Sequence, residues 1–183
     1  MKVLLLNGSP RKNGCTYTAL NVVADALKAE GIDAEVFQAG DPDMENVKAA
    51  AAKLKDSDAL VVGSSPSGQI IEFMDRLASV AGKDMLYKPA AAVASARRAG
   101  TTATLDVLTK YFSYHQMPVV SSCYWNMVHG NTPEEVMKDE EGVQIMRVLG
   151  KNMAWLLKCI EAGKKNGVAV PAAEDKIKTN FIR

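Results

Sequence analysis

Short apolar runs alternate along this chain with stretches whose apolar residues recur every three or four positions. Val3–Leu6 is the first run, followed by Ala34–Phe37, Ala59–Val62, Ala90–Ala94 and the brief Val119–Ser121. An unbroken apolar run bounded by turn residues fits a strand buried on both faces, as in a parallel sheet covered by helices. Between the runs, Leu20, Val23, Ala24 and Leu27 fall at helical spacing, and Gly31 sits where a C-terminal cap belongs. Asp41-Pro42 reads as a helix start, with the helix running to about Lys55. Ile70 to about Val80 and Thr101–His115 form the third and fourth helices. Thr132 caps the last helical region, Pro133 fits its first turn, and Glu135 completes a capping box. Met146, Leu149, Met153, Leu156 and Ile160 form its apolar stripe, and Gly142 marks a division into two helices. Five strands alternating with five helices give a three-layer α/β fold around a parallel sheet. No linker interrupts the pattern, so residues 1–183 read as one domain with 164–183 as a tail.

Bulk properties exclude several classes of function. The net charge is +1, so there is no basic field for nucleic acid or an anionic membrane. No apolar run approaches the roughly 20 residues of a membrane span. The apolar stretch at the N-terminus is too short for a secretory signal. Cys15, Cys123 and Cys159 are far apart, which suggests reduced thiols and a cytoplasmic location. Cys123 and Cys159 read as small buried hydrophobes, Trp155 as core, and the nine methionines mostly as packing residues.

The two edges of the expected sheet differ in composition. Turns entering strands are bland: 30–33, 55–58 and 87–89. Turns leaving strands, at 7–16, 63–68, 95–100 and 122–131, hold the glycine, serine, arginine and aromatic residues that packing does not need. Ligands of α/β sheets bind outside the carboxyl ends of the strands, so these four loops describe a cleft. The first loop, Asn7-Gly8-Ser9-Pro10-Arg11-Lys12-Asn13-Gly14-Cys15-Thr16, is the sharpest signal. Gly8 and Gly14 let the backbone come close, Ser9 and Thr16 offer hydroxyls, and Arg11 and Lys12 add charge. The amides of Gly14 to Tyr17 point out of a helix start, where the dipole favours an anion. The loop matches neither the nucleotide P-loop nor the dinucleotide fingerprint. By its own chemistry it supports a monophosphate-sized anion, or a plain glycine-rich turn with Thr16 as the helix cap.

Gly8-Ser9-Pro10-Arg11-Lys12-Asn13-Gly14-Cys15-Thr16 resembles the phosphate loop of the NADPH-dependent FMN reductases. Three further stretches are similar to a branch of flavodoxin-like NAD(P)H-dependent oxidoreductases related to iron–sulfur flavoproteins. They are Ser67-Gly68-Gln69 with Phe73-Met74-Asp75-Arg76, Ser95–Thr102, and Tyr124–Gly130. The resemblance spans the chain and implies a flavodoxin-like sheet of order 2-1-3-4-5. It implies an FMN-dependent enzyme that takes hydride from NAD(P)H and passes electrons to a quinone, flavin or other small acceptor. A homodimer or homotetramer is also implied. The alternative is a flavodoxin-type electron carrier, although carriers usually have strongly acidic surfaces. The chain departs from the pattern twice. After the third strand, Gly63-Ser64 runs straight into Ser65-Pro66-Ser67-Gly68, without a tyrosine and about five neighbours expected from motif spacing. After the second strand the cysteine-rich segment is missing, so no iron–sulfur cluster is assigned.

By resemblance, Ser9, Arg11, Gly14, Cys15, Thr16 and Tyr17 would hold the FMN phosphate. Cys15 would act through its amide alone, or carry a thiol acidified by the helix start. Ser64, Ser65, Pro66, Ser67 and Gly68 would lie beside the isoalloxazine, unless they form only a tight connection capped by Ser67. Ser95, Ala96, Arg97, Arg98, Gly100 and Thr101 would border its pyrimidine end, where positive charge favours the reduced ring. The arginines would otherwise contact the phosphate of NADPH or form a solvated pair. Tyr124, Trp125, Asn126 and His129 would cover the flavin or make a subunit contact, unless Trp125 plugs the core. No metal ligands and no protein acid or base are assigned.

Overall fold

A computed structural model describes residues 1–65, 67–172, 174–175 and 177–181. Four strands form as the apolar runs require: β1 (Lys2–Asn7), β2 (Asp33–Gln38), β3 (Ala59–Ser64) and β4 (Ala90–Ala96). A short β5 (Met127–His129) completes a five-stranded sheet of order β2-β1-β3-β4-β5, with every pair parallel. The helices between them are α1 (Cys15–Ala29), α2 (Met44–Lys55), α3 (Gly68–Met85) and α4 (Thr101–Tyr114). After β5 come α5 (Pro133–Lys138) and α6 (Glu140–Lys165).

Alternate residues of the central strands supply two separate cores, which is the strand period expressed in packing. Val3, Leu5 and Val61 join Leu20, Val23 and Leu27 of α1 and Met146, Leu149, Met153 and Leu157 of α6 on one face. Leu4, Leu6, Leu60 and Val62 join α2, α3 and α4 on the other, around Phe73 and Phe112. The seven strand leucines and valines named here are wholly buried, and each contributes on the order of 2 kcal/mol.

Several expectations are corrected by this packing. The fifth strand is not at 119–121, where Val119 makes only an isolated bridge to Ala90; the ladder resumes at Met127. The second helix starts at Met44 rather than beside Pro42, because Asp43 accepts from the amides of Glu45 and Asn46 and is the better cap. Gly142 does not divide the last helices. The break is at Asp139, whose carboxylate accepts from Gly142 N–H (2.9 Å) and His129 N–H (2.7 Å). Thr132 caps α5 as expected, but Glu135 reaches back to Asn131 N–H (2.7 Å) rather than to Thr132. The final helix runs to Lys165, two residues past Gly163.

Trp155 is 69% exposed instead of buried. The inner face of α6 is Met146, Leu149, Gly150, Met153, Ala154 and Leu157. Its middle uses small residues because a Cβ on Gly150 would stand 2.6 Å from Ala26 Cβ and 2.8 Å from the Val23 carbonyl. Reading only the large residues therefore rotates the stripe. Cys159 lies outside it, and Cys123 lies in the detour before β5; both are exposed rather than buried. Most methionines do pack in the cores, but Met1, Met44 and Met137 are exposed.

Candidate functional site

Asn7 follows the apolar run of β1 at its end and is wholly buried. Its Nδ2 donates to Gln38 Oε1 (2.6 Å) and to the carbonyls of Lys12 (3.2 Å) and Arg11 (3.5 Å). Its Oδ1 accepts from Ser9 N–H (3.2 Å), and Gln38 Nε2 donates to the Ser9 carbonyl (2.7 Å). One amide side chain thus draws the loop 8–14 into a closed turn, with Gln38 of β2 as a brace. Each such bond contributes about 1 kcal/mol net, and buried partners left behind would cost more. Gly8 is needed for a close approach: a Cβ there would lie 2.6 Å from Ile70 Cδ1 of α3. Its N–H donates to the Gly63 carbonyl (2.8 Å), tying the loop to the end of β3.

The loop delivers the start of α1 into the cleft. Gly14, not Thr16, occupies the cap position, and no side chain caps the helix. Thr18 N–H takes the Gly14 carbonyl (3.0 Å), while the amides of Cys15, Thr16 and Tyr17 have no protein acceptor among the described residues. Thr16 and Ser95 are both buried, and their hydroxyls meet at 2.6 Å, joining the first loop to the end of β4. The Cys15 thiol is turned aside to the Gly130 carbonyl (3.6 Å), leaving its backbone amide at the helix start.

These groups surround a pocket of about 280 Å³ lined by Ser9, Pro10, Arg11, Cys15, Thr16, Ser65, Ser95, Ala96, Arg97, Gly130 and Asn131. All four carboxyl-end loops contribute to it. Arg11 and Arg97 have no acidic partner within ion-pair distance among the described residues. Three amides at a helix start, neighbouring hydroxyls and two guanidinium groups are a donor set for a phosphate-sized dianion.

The remaining expected residues separate. Ser65 also lines a second hollow of about 290 Å³, with Ser67, Gly68 and Gly100 at one end and Ile70, Ile71, Ala103, Val107 and Leu108 along its walls. Ser67 holds the cap position of α3 without a side-chain cap bond, and its buried Oγ has no partner among the described residues. Gly100 caps α4 at φ +91°, a left-handed conformation that favours glycine. Ser64 and Thr101 face inward: the Ser64 hydroxyl donates to the Ser65 carbonyl (2.6 Å) and Thr101 to Met127 Sδ (3.3 Å). Arg98 is exposed and lines neither hollow. Pro66 lies outside the described residues. Trp125 does not plug the core; it is 57% exposed and packs edge-to-face on Tyr124. His129 is bound to Asp139 through its backbone N–H. Sequence reasoning missed Gln38, Gly130 and Asn131; the polar end of the β2 run was the signal available for Gln38.

A groove of about 360 Å³ occupies the opposite edge of the sheet. Lys88 there donates to the carbonyls of Leu54 (2.6 Å) and Lys55 (3.2 Å), closing the end of α2, and burial pushes its ammonium pKa down. That lysine has a structural task, which leaves the carboxyl-end pocket as the stronger candidate. No described helix is long and apolar enough to cross a membrane.

Comparison with known proteins agrees with this geometry. The sequence model of the family described as NADPH-dependent FMN reductase matches residues 1–132. An iron–sulfur flavoprotein of Methanocaldococcus jannaschii is 27% identical, over 88% of this chain and all of that protein. Among solved structures, a flavodoxin from the domain Archaea superposes with a TM-score of 0.65 at 18% identity, covering 86% of this chain and 99% of its own. RosB, with bound 8-demethyl-8-formylriboflavin-5'-phosphate, gives 0.67 at 16% identity, covering 100% of this chain and 94% of its own. The sheet order and the layers of helices are those of the flavodoxin-like fold.

Proposed function

This chain belongs to the NADPH-dependent FMN reductase family and is a flavin-binding oxidoreductase, and from that premise we propose an FMN-dependent NAD(P)H oxidoreductase. Bound FMN supplies the chemistry, taking hydride from the nicotinamide and returning electrons to a quinone, flavin or other small acceptor. The observation that carries the reading is the start of α1: three amides without protein acceptors beside Ser9, Arg11 and the buried Thr16–Ser95 pair. That donor set fits a phosphate monoester, with Gly14 allowing the close turn.

Ser9, Arg11, Thr16 and the amides of Cys15 to Tyr17 would hold the phosphate. Ser65, Ser67 and Gly68 would border the ring on one side, with Ser67 Oγ offering a buried hydroxyl that has no partner among the described residues. Ser95, Ala96 and Arg97 would border it on the other, and the Arg97 cation would favour negative charge on the reduced ring. Gly100 would shape the same side by holding the turn into α4. Ser64 and Thr101 would act indirectly, by fixing the ends of β3 and of β5. Arg98 is best used on the co-substrate, NADH or NADPH, since it stands outside the pocket. The apolar walls at Ile71, Ala103 and Val107 would exclude water beside the ring. We also propose a homodimer or homotetramer, in keeping with the exposed Tyr114 and Trp155.

Anaerobic mixing of the FMN-loaded protein with NADPH or NADH tests the reading. Bleaching of the flavin band within seconds, and recovery of colour on adding a quinone, is expected. A protein that takes up no FMN, or holds it without bleaching by either nucleotide, overturns it.

A further inference from the structure

The pairing between β4 and the chain after α4 is interrupted. Ala90 pairs with Val119: its N–H donates to the Pro118 carbonyl (2.8 Å) and its carbonyl accepts from Val120 N–H (2.8 Å). Ala94 pairs with Met127, and its N–H donates to the Asn126 carbonyl (2.9 Å). From 90 to 94 β4 advances four residues while its partner advances eight, from 119 to 127. The excess forms a detour at 121–126. In a parallel ladder alternate residues face the same neighbour. Leu60 N–H takes the Pro89 carbonyl, so the odd residues of β4 serve β3 and Ala92 faces the detour. Ala92 is 3% exposed, yet its N–H and carbonyl have no protein partner among the described residues. Asn126 Oδ1 is also buried without a partner among the described residues. Ala92 and Asn126 line one hollow of about 470 Å³. Three such polar atoms around one hollow call for an explanation, because buried polar groups are almost always paired.

The detour is also braced. Ser122 Oγ donates to the Tyr124 carbonyl (2.7 Å) and accepts from Tyr124 N–H (3.3 Å). Met127 N–H takes the Trp125 carbonyl (2.7 Å), and Asn152 of α6 donates to the Ser121 carbonyl (2.8 Å). These bonds present Tyr124 and Trp125, ring centroids 4.7 Å apart, as an aromatic wall of the hollow. Lys110 of α4 also lines the hollow, one helical turn from Asp106.

We propose that this hollow binds an amino-bearing nucleobase, adenine or cytosine, as a nucleoside or a nucleotide. Such a base combines a flat face with an N–H₂ donor beside a ring acceptor. The face stacks on the aromatic wall. The ring acceptor receives Ala92 N–H, and the two amino hydrogens go to the Ala92 carbonyl and Asn126 Oδ1. Lys110 meets a phosphate where one is attached.

The test uses FMN-loaded protein carrying Trp155→Phe, which leaves Trp125 as its one tryptophan. Its fluorescence is followed while adenosine, AMP or purine riboside is added. A saturable change with adenosine is expected, and purine riboside, which lacks the amino donor, binds about tenfold more weakly. Asn126→Leu weakens adenosine by about tenfold. AMP tighter than adenosine supports a nucleotide and equal affinity a nucleoside. No saturable change up to millimolar adenosine, equal affinity for purine riboside, or an unaltered Asn126→Leu protein overturns the proposal. None of these readouts requires turnover, so the proposal can fail while the flavin reading stands, and the reverse.

Discussion

Main-chain N–H groups without protein acceptors among the described residues lie both at Cys15 to Tyr17 and at Ala92, and their surroundings differ. At Cys15 to Tyr17 the amides lie at the start of a fifteen-residue helix, with Arg11 and Arg97 at the same pocket. At Ala92 the N–H lies within a strand ladder, beside its own carbonyl, an amide oxygen and two aromatic rings. The first setting has a positive field and suits an anion. The second, with Lys110 and Asp106 both in the lining, has no net excess of positive charge and suits a flat polar edge. What an open backbone amide can bind is therefore decided by its neighbours. The two stretches also differ in support, since the first hangs on one buried residue, Asn7, and the second on several lighter braces.

Removing Asn7 should break the first stretch most completely. Asn7→Leu strands the carbonyls of Arg11 and Lys12 and the N–H of Ser9, so a loss of about 3 kcal/mol in urea unfolding is expected. FMN affinity should fall by about a hundredfold or more, which flavin fluorescence reads directly. Undiminished affinity would mean that the shape of the loop does not govern the site. Thr16→Val keeps the volume but leaves the Ser95 hydroxyl buried and unmet, at a cost of about 2 kcal/mol, with FMN about tenfold weaker.

The second stretch should respond less and in a different observable. Ser122→Ala loosens the detour for about 1 kcal/mol and leaves FMN affinity unchanged. Hydrogen exchange at the Ala92 amide should quicken, and an unchanged rate would show that Ser122 does not brace that gap. The smallest effect lies far from both. Lys2 and Lys53 hold the Glu35 carboxyl below its ordinary value, chiefly through their hydrogen bonds. That stabilisation is present above the unfolded pKa and is lost as pH falls through the lowered folded one. The side chains are a third exposed, so less than about 1 kcal/mol is involved. Glu35→Gln should flatten the decline in urea midpoint between about pH 5 and pH 3 without changing FMN affinity.

The sequence made the first stretch far more legible than the second. Val3–Leu6 reads as a doubly buried strand, and glycine, serine and arginine crowd the loop that follows it, so the strand, its edge and its anion chemistry can be read together. Asn7 and Gln38 were harder to see as braces, because one polar residue at a strand end looks like the beginning of a loop. The fifth strand misled because Val119 and Val120 are apolar and do touch Ala90, while the true ladder at Met127 to His129 is only three residues long. No local pattern tells a chain to leave a sheet and rejoin it; that depends on the register β4 imposes from a distance. Trp155 shows a similar limit. The inner face of α6 is chosen by how closely Gly150 must approach α1, and a glycine carries no hydrophobic signal.

The central claim is that the start of α1 binds the phosphate of FMN, and comparing FMN with riboflavin tests it most directly. Both molecules share the ring and the ribityl chain, so the difference in their dissociation constants isolates the phosphate. Several charge-assisted hydrogen bonds to the amides of Cys15 to Tyr17 and to Arg11 predict riboflavin at least about a hundredfold weaker, with the gap narrowing in Arg11→Ala. Equal affinities for FMN and riboflavin would contradict the account.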